Sequence, residues 1–291
     1  MFTELATEIF TRGLLERGVA GKSAAFIEVG LGNINYSFLW ATTLGFRCYA
    51  VEPLPSEHLI KATGDHKVDL AVGAISDHTG EQSIFIGEVN GSTVSDVSSL
   101  NPNWWGGSKR EQKVQTWTLS DFLTSKKINS VAVLKVDTEG SEYTILGGLR
   151  DIPSNVHPEI IIFEYGGGAT RGSNSSGWSS EFYPNTLKIL ELAKTLGYSS
   201  FLILEEQEPM PILLDFSKIS DFDALFKAHW TVGNIICTKK TLSSDIMSLV
   251  EVLEQESKKE SARIRREAFR NTVKHYSIRF ISGIRRRLPC L

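Results

Sequence analysis

The sequence predicts an α/β fold: a doubly wound, mostly parallel sheet with helices on both faces, followed by a C-terminal helical extension. Three observations predict it. Short apolar runs alternate with helical segments along the first 75 residues, the pattern of parallel strands joined by crossovers. The first run, Phe26-Ile-Glu-Val-Gly30, stops in a Gly-x-Gly turn, as strands do where a ligand sits over their carboxyl ends. Near the end of the chain Ile246, Leu249, Val250 and Leu253 recur at i, i+3, i+4 and i+7, one face of a helix.

The elements follow in order. Residues 3–18 read as an amphipathic lead-in helix, with Leu5, Ile9, Leu14 and Leu15 as its apolar positions. Ala24–Val29 is a short apolar run and reads as a buried strand. A helix over 35–44 ends at Gly45, a suitable C-cap. Phe46–Val51 is the second strand, stopped by Pro53 and Pro55. A helix over 55–63 ends at Gly64, and Val68–Ile75 is the third strand. Residues 80–112 break the alternation. They hold a β-like piece at Gln82–Ile86 and a stretch rich in Gly, Ser and Asn around Trp104 and Trp105, which predicts an insertion or mobile loop near a site. Alternation returns with a strand at Val114–Thr118, a helix over 119–125, a strand at Val131–Val136, a helix over 141–147 and a strand at Glu159–Tyr165. Residues 166–180 are rich in Gly and Ser and read as a loop. A helix over 184–196 and strands at Ser200–Leu204 and Val232–Cys237 complete the domain. A second helical stripe, Phe269, Val273, Tyr276, Phe280 and Ile284, lies near the end.

These readings divide the 291 residues into a lead-in helix at 1–22, a main domain at 23–240 and a basic helical extension at 241–291. A hydrophobic content of 41% fills a core of that size. Eleven Lys and Arg against two acids give residues 258–291 a charge of +9, leaving −12 on the rest of a chain whose formal net charge is −3. A basic amphipathic helix of this kind suits an anionic membrane surface or a protein partner. No nucleic-acid module is recognisable, and no apolar run is long enough to span a membrane. Cys48, Cys237 and Cys290 are odd in number and have no metal-ligand spacing. Free thiols and the lack of a signal peptide point to a cytoplasmic protein, with membrane contact limited to the periphery.

The chemistry begins at Glu28-Val-Gly30-Leu-Gly32. Glycines after a first strand let a ligand approach the backbone, and Glu52, at the end of the second strand, is placed to hold both hydroxyls of an adenosine ribose. These features fit a nicotinamide dinucleotide or S-adenosylmethionine. A dinucleotide fingerprint needs a third glycine under the pyrophosphate, where this chain has Asn35. That favours the cofactor without a pyrophosphate. An NAD-dependent oxidoreductase and a non-catalytic binding module remain as alternatives. The second cluster is Leu134-Lys-Val-Asp137-Thr-Glu139-Gly140-Ser-Glu142. A strand delivers Asp137 to its carboxyl end, and Gly140 turns the chain into a helix, so Asp137 and Glu139 should face the same crevice as Gly30. Glu142 is placed to stabilise a helix N-terminus.

At this point the sequence resembles the FkbM family of methyltransferases. The resemblance runs from about Phe26 to Tyr165. It rests on Ile-Glu-Val-Gly at 27–30, Ala-Val-Glu-Pro at 50–53, Gly-Ala-Ile-Ser-Asp at 73–77 and Leu-Lys-Val-Asp-Thr-Glu-Gly-Ser-Glu at 134–142. It implies a Rossmann-like, class I, S-adenosylmethionine-dependent enzyme that methylates a hydroxyl of a sugar, a glycan or a related natural product. By the same resemblance Glu28, Gly30, Gly32 and Asn33 lie along the methionine part of the cofactor, Glu52 on the ribose, and Ser76 and Asp77 near the adenine. Asp137 and Glu139 lie near the transferring methyl or the acceptor. Where family loops read Gly-Ala-Asn-x-Gly, this chain has Gly30-Leu-Gly-Asn33-Ile-Asn35. An aliphatic hydroxyl is a weak nucleophile, so a base is expected; Glu139 is the first candidate, with His78, His157 and Glu164 behind it. A hydroxyl-binding cation on Asp137, Glu139 and Glu164 has suitable donors. No spacing demands one, and no metal is assigned. Trp104, Trp105 and Trp178 are candidates to stack on a sugar face or to pack their loops.

Overall fold

The computed structural model describes residues 3–32, 36–167, 169–173, 176–263 and 266. The chain divides into two compact units, 1–247 and 248–291.

The first unit opens with helix α1 (Thr3–Glu16), then β1 (Ala25–Val29), α2 (Phe38–Thr43), β2 (Arg47–Glu52), α3 (Glu57–Asp65) and β3 (Asp69–Val72). Strands β4 (Ala74–Ile75), β5 (Gly80–Val89), β6 (Ser92–Thr93) and β7 (Gly107–Trp117) follow. After them come α4 (Leu119–Ser125), β8 (Val131–Val136), α5 (Glu142–Gly147), β9 (Ile160–Tyr165), α6 (Tyr183–Thr195), β10 (Ser200–Glu205), β11 (Ile212–Asp215) and β12 (Gly233–Thr238).

Eight strands form the main sheet in the order β11-β10-β12-β9-β8-β1-β2-β3. Strands β3, β2, β1, β8 and β9 are parallel, as the alternation predicts. The last strand, β12, inserts antiparallel to both β9 and β10. A dinucleotide-binding sheet of order 3-2-1-4-5-6 has no such insertion. The central strands are buried along their whole length, which is why they read as apolar runs rather than alternating ones. Ile27, Val29, Leu134, Val136, Ile161 and Phe163 belong to one core with α4–α6 residues such as Phe122, Leu146 and Leu190. Side chains alternate along a strand. The intervening Glu28, Lys135 and Glu164 therefore sit on the opposite face, toward α1.

Two expectations need correcting. The run Val68–Ile75 is not one strand. At Gly73, φ is +155°, and a Cβ there would lie 2.6 Å from Gln115 O and from the Trp117 ring. The chain leaves the main sheet at this point and pairs β4 with β7. Residues 80–112 form the expected insertion around the β-like piece at Gln82–Ile86, but the strand expected at Val114–Thr118 starts earlier. β5 and β7 pair antiparallel in a second sheet of order β4-β7-β5-β6, and β7 begins at Gly107. The weak apolar pattern of Lys109–Lys113 reflects its exposure. Strand β11, of intermediate burial, rests on the short apolar run Ile212–Leu214 and is not among the expected elements.

In the second unit, residues 249–263 are helical, with Val250 and Leu253 buried. The stripe from Phe269 to Ile284 lies outside the described residues.

Candidate active site

The carboxyl ends of β1, β2 and β8 enclose a cleft of about 590 Å³, counting its open mouth. Its floor is pinned by backbone bonds: Gly30 N–H donates to Val51 O at 3.0 Å, and Asp137 N–H to Val29 O at 2.9 Å. Gly30 has φ +76°, and a Cβ on it would sit 1.7 Å from Asp137 O. Only glycine lets these two strand ends close together. Gly32, Glu52, Asp137 and Glu139 join Gly30 in the lining. Asn33 lies outside the described residues. The inserted hairpin covers the opening with Ser95, Asp96, Ser98 and Leu100, a contribution no local motif announces.

Glu52 is buried and accepts the N–H of Leu31 at 2.9 Å and of Leu54 at 3.0 Å. Burial raises its carboxyl above the usual range, opposed by those donors. Glu28 lies beneath the loop. It is 1% exposed, and its oxygens accept the N–H groups of Ser37 and Phe38 at 3.1 and 3.2 Å. Ala74 and Ile75 line the cleft, whereas Ser76 and Asp77 face an adjoining groove of about 610 Å³ with Gln82, Asn101 and Thr144.

Asp137, Glu139 and Glu164 come together at the far end, each offering an oxygen within 4.8 Å of the others. Glu139 has φ +56°, an uncommon conformation for a residue with a side chain. Its carbonyl accepts from Ser99 Oγ at 2.7 Å, and its carboxylate accepts from Trp104 Nε1 at 2.6 Å. Burial pushes Asp137 up to about 7, with Lys135 opposing the rise. Burial, then the Asp137 charge, also raises Glu139 and Glu164 well above ordinary carboxylates. Close carboxyls of this kind share protons and titrate as a set. The geometry could hold a hard divalent cation. Glu142, the first residue of α5, reaches back into the preceding turn, accepting from Thr138 N and Gly140 N.

Beyond the carboxylates lies a second cavity of about 360 Å³, bounded by Trp104, Glu142, Glu164, Tyr165, Phe182 and Asn185 among others. Trp104 is 6% exposed and meets Phe182 edge-on at 5.0 Å, so it is a wall fixed by packing rather than a free stacking platform. Trp178 is buried and donates to Thr231 O at 2.7 Å, whereas Trp105 is exposed. Neither other base candidate reaches the cluster. His157 is bonded to Ile152 O before β9 begins, at the opposite end of the strand from Glu164, and exposed His78 pairs with Asp77 at 2.7 Å.

A parallel sheet with a glycine turn, a buried acid at the end of its second strand and carboxylates at the adjacent strand end, closed by an antiparallel final strand, is by class that of a Rossmann-like methyltransferase. Comparison gives the family. Residues 28–200 match the methyltransferase FkbM domain, and the chain belongs to that family. No curated protein sequence matches it. Among solved structures it is similar to precorrin-6y C5,15-methyltransferase from Geobacter metallireducens, at 9% identity, covering 79% of this chain and 87% of that one, with a TM-score of 0.35. It is similar to a geranyl diphosphate methyltransferase solved with S-adenosylmethionine, at 9% identity, 80% and 85% coverage and a TM-score of 0.40. It is similar to phosphoethanolamine N-methyltransferase 2 of Haemonchus contortus, at 10% identity, 79% and 52% coverage and a TM-score of 0.38.

Proposed function

We propose that this methyltransferase uses S-adenosylmethionine and methylates a hydroxyl oxygen on a sugar, a glycan or a related natural product. The observation that carries the cofactor reading is the charge of the cleft. Glu52, Asp96, Asp137 and Glu139 line it, and among the described residues no Lys or Arg does. Such a cleft repels a pyrophosphate and attracts the sulfonium and ammonium of S-adenosylmethionine. The residues fit the group. Glu52 accepts the backbone N–H groups of Leu31, Leu54 and Gly32, and a carboxylate with about four lone-pair sites has room left for a ribose hydroxyl. Leu54, Ala74 and Ile75 offer apolar walls to an adenine, with Ser76 and Asp77 at its margin. Gly30 and Gly32 follow the methionine part, and Glu28 accepts the N–H groups of Ser37 and Phe38 from below.

S-adenosylmethionine supplies a methyl on a sulfonium that leaves without acid assistance. The chain's own residues must orient the acceptor and take its proton. Glu139 is the proposed base and Asp137 its partner at the reacting atoms; carboxyls raised above the ordinary range are stronger bases once ionised. The acceptor enters from the cavity behind Glu164, whose described walls hold acids and aromatic rings but no cation. A neutral hydroxyl compound suits that lining.

A second reading is favoured by the Asp137, Glu139 and Glu164 geometry, in which a divalent cation binds the acceptor hydroxyl. Dialysis against EDTA leaves transfer intact if carboxylates act alone. It abolishes transfer, with recovery on adding Mg²⁺, if the cation is required.

The basic segment 258–291 is proposed to contact an anionic membrane or a protein partner. Among the described residues no helix is long and apolar enough to cross a membrane.

Calorimetry with S-adenosylhomocysteine and NAD, followed by radiolabelled methyl transfer to a panel of methyl glycosides, tests the main reading. Binding of S-adenosylhomocysteine with no response to NAD is expected. Binding of NAD alone, or of neither, would overturn it.

A further inference from the structure

Beneath the cleft runs a buried charged chain whose members do not line it, although its cation also bears electrostatically on Asp137. Lys135 on β8 is the register partner of Glu28 on β1. Lys135 is 4% exposed, yet it carries an ammonium on a strand otherwise composed of apolar residues. Its Nζ lies 3.4 Å from Glu28 Oε1 and 3.1 Å from Glu4 Oε2 in α1. The other oxygen of Glu4 accepts from Asn234 Nδ2 on β12 at 2.7 Å, and the same amide reaches Thr7 Oγ1 at 3.0 Å. At the opposite end, Glu28 receives the N–H groups of Ser37 and Phe38, where the chain re-enters regular structure after the glycine turn. The turn is thus held at two points by two carboxylates. Glu52 takes Leu31 on its near side, and Glu28 takes Ser37 and Phe38 on its far side.

The two anchors differ in how their charge is met. Glu52 reaches the cleft. Glu28 does not, and Lys135 is the cation that compensates it. A buried ion pair of this kind contributes little net stability, but loss of one partner strands the other as an uncompensated charge. Without Lys135, Glu28 would draw water or reorient, and its grip on Ser37 and Phe38 would loosen. Glu4 acts one step further out. It occupies the remaining side of the ammonium and ties it to α1.

We propose that Lys135 is a positioning residue for the cofactor loop, and that the N-terminal helix, through Glu4, sets the affinity of the cleft for its cofactor. This rests on the reading that the cleft binds S-adenosylmethionine. It adds that residues remote from the cleft control that binding through the Glu4–Lys135–Glu28 chain.

The test is calorimetry with S-adenosylhomocysteine on the full chain, with melting temperature recorded for every variant. Lys135→Met should weaken binding about tenfold or more, and Glu4→Gln about threefold. Glu4→Gln is half-exposed and conservative, so it keeps the test open if Lys135→Met fails to fold. The double variant Lys135→Met with Glu28→Gln should recover part of the lost affinity, because a neutral amide needs no cation and its oxygen still accepts one of the two N–H bonds. Ile235→Ala in β12, three strands from β1 and on the sheet face away from α1, is the stability control. It should lower the melting temperature and leave the affinity unchanged. A wild-type chain that fails to bind S-adenosylhomocysteine would refute the cofactor reading itself. Wild-type affinity in both single variants, or affinity that tracks melting temperature across all variants including Ile235→Ala, would overturn the positioning role.

Discussion

The indole of Trp104 donates its N–H to the carboxylate of Glu139 across 2.6 Å, joining the inserted hairpin to the turn after β8. The bond fixes a carboxylate whose own backbone sits at positive φ, and it leaves the indole ring as a wall between cleft and cavity. Strain of this kind persists where surrounding contacts hold it, and it gathers at working sites.

Trp104→Phe removes that bond and keeps an aromatic ring against Phe182. A hydrogen bond to a charged group contributes about 1.5–3 kcal/mol, so kcat should fall roughly 10- to 100-fold if Glu139 is the base. Affinity for S-adenosylhomocysteine should change little, because Glu52 and the glycine turn are untouched. Steady-state kinetics beside calorimetry separate the two. A variant with unaltered kcat removes Glu139 from the reacting centre.

Much of this was readable in the sequence, because its signals are local. Gly30, Gly32, Glu52 and Asp137 each end a strand, and parallel topology sends strand ends to one edge. The reading failed where pairing is long-range. Nothing near Trp104 reveals a bond to a residue 35 positions away, and nothing near Lys135 reveals Glu4 at a separation of 131. The place of β12 between β9 and β10 is likewise a tertiary choice. Gly73 was visible as a glycine but not as the point where one sheet gives way to another, since that depends on Gln115 and Trp117 of a later strand.

The pH dependence of stability follows from Asp137. Its ordinary value is 3.8, and burial raises it to about 7 in the folded chain. Between those values the folded state keeps a proton that the unfolded chain has released, so stability falls as pH rises through the window. The contribution is intact below the unfolded value and lost above the folded one. Asp137→Asn should therefore be more stable than wild type at about pH 8, by up to about 4 kcal/mol, with the gap closing near pH 4. Denaturant midpoints across that range give the answer, and a gap that widens toward acid contradicts the assignment. Activity should run the other way in wild type, rising through neutrality as the cluster loses protons, and Asp137→Asn should abolish it.

Gly30→Ala probes the contact that closes the cleft floor. The added methyl would collide with the Asp137 carbonyl, and the residue would be held at positive φ. Relief requires β1 and β8 to separate where the cofactor should lie. The expected result is loss of S-adenosylhomocysteine binding together with a destabilisation of about 2–4 kcal/mol. Retained binding would mean that the turn can open without cost and that the glycine serves only the chain reversal.

Acceptor charge is the last point that the geometry decides. Glu142 and Glu164 bound the second cavity, Asp137 and Glu139 stand at its inner end, and the described lining holds no Lys or Arg. Burial raises all four carboxyls, and each one that ionises sets a negative charge in a partly enclosed space with no cation in the described lining to offset an anion. A phosphorylated sugar entering there would lose its hydration and find no donor to replace it. For any neutral glycoside that accepts the methyl group, the matching phosphate ester should therefore show kcat/KM lower by about 100-fold or more. Asn185→Lys supplies a cation to the wall and should narrow that ratio, chiefly by raising the rate for the phosphate ester. Equal rates for the two acceptors in wild type would show that the acceptor does not pass through this cavity.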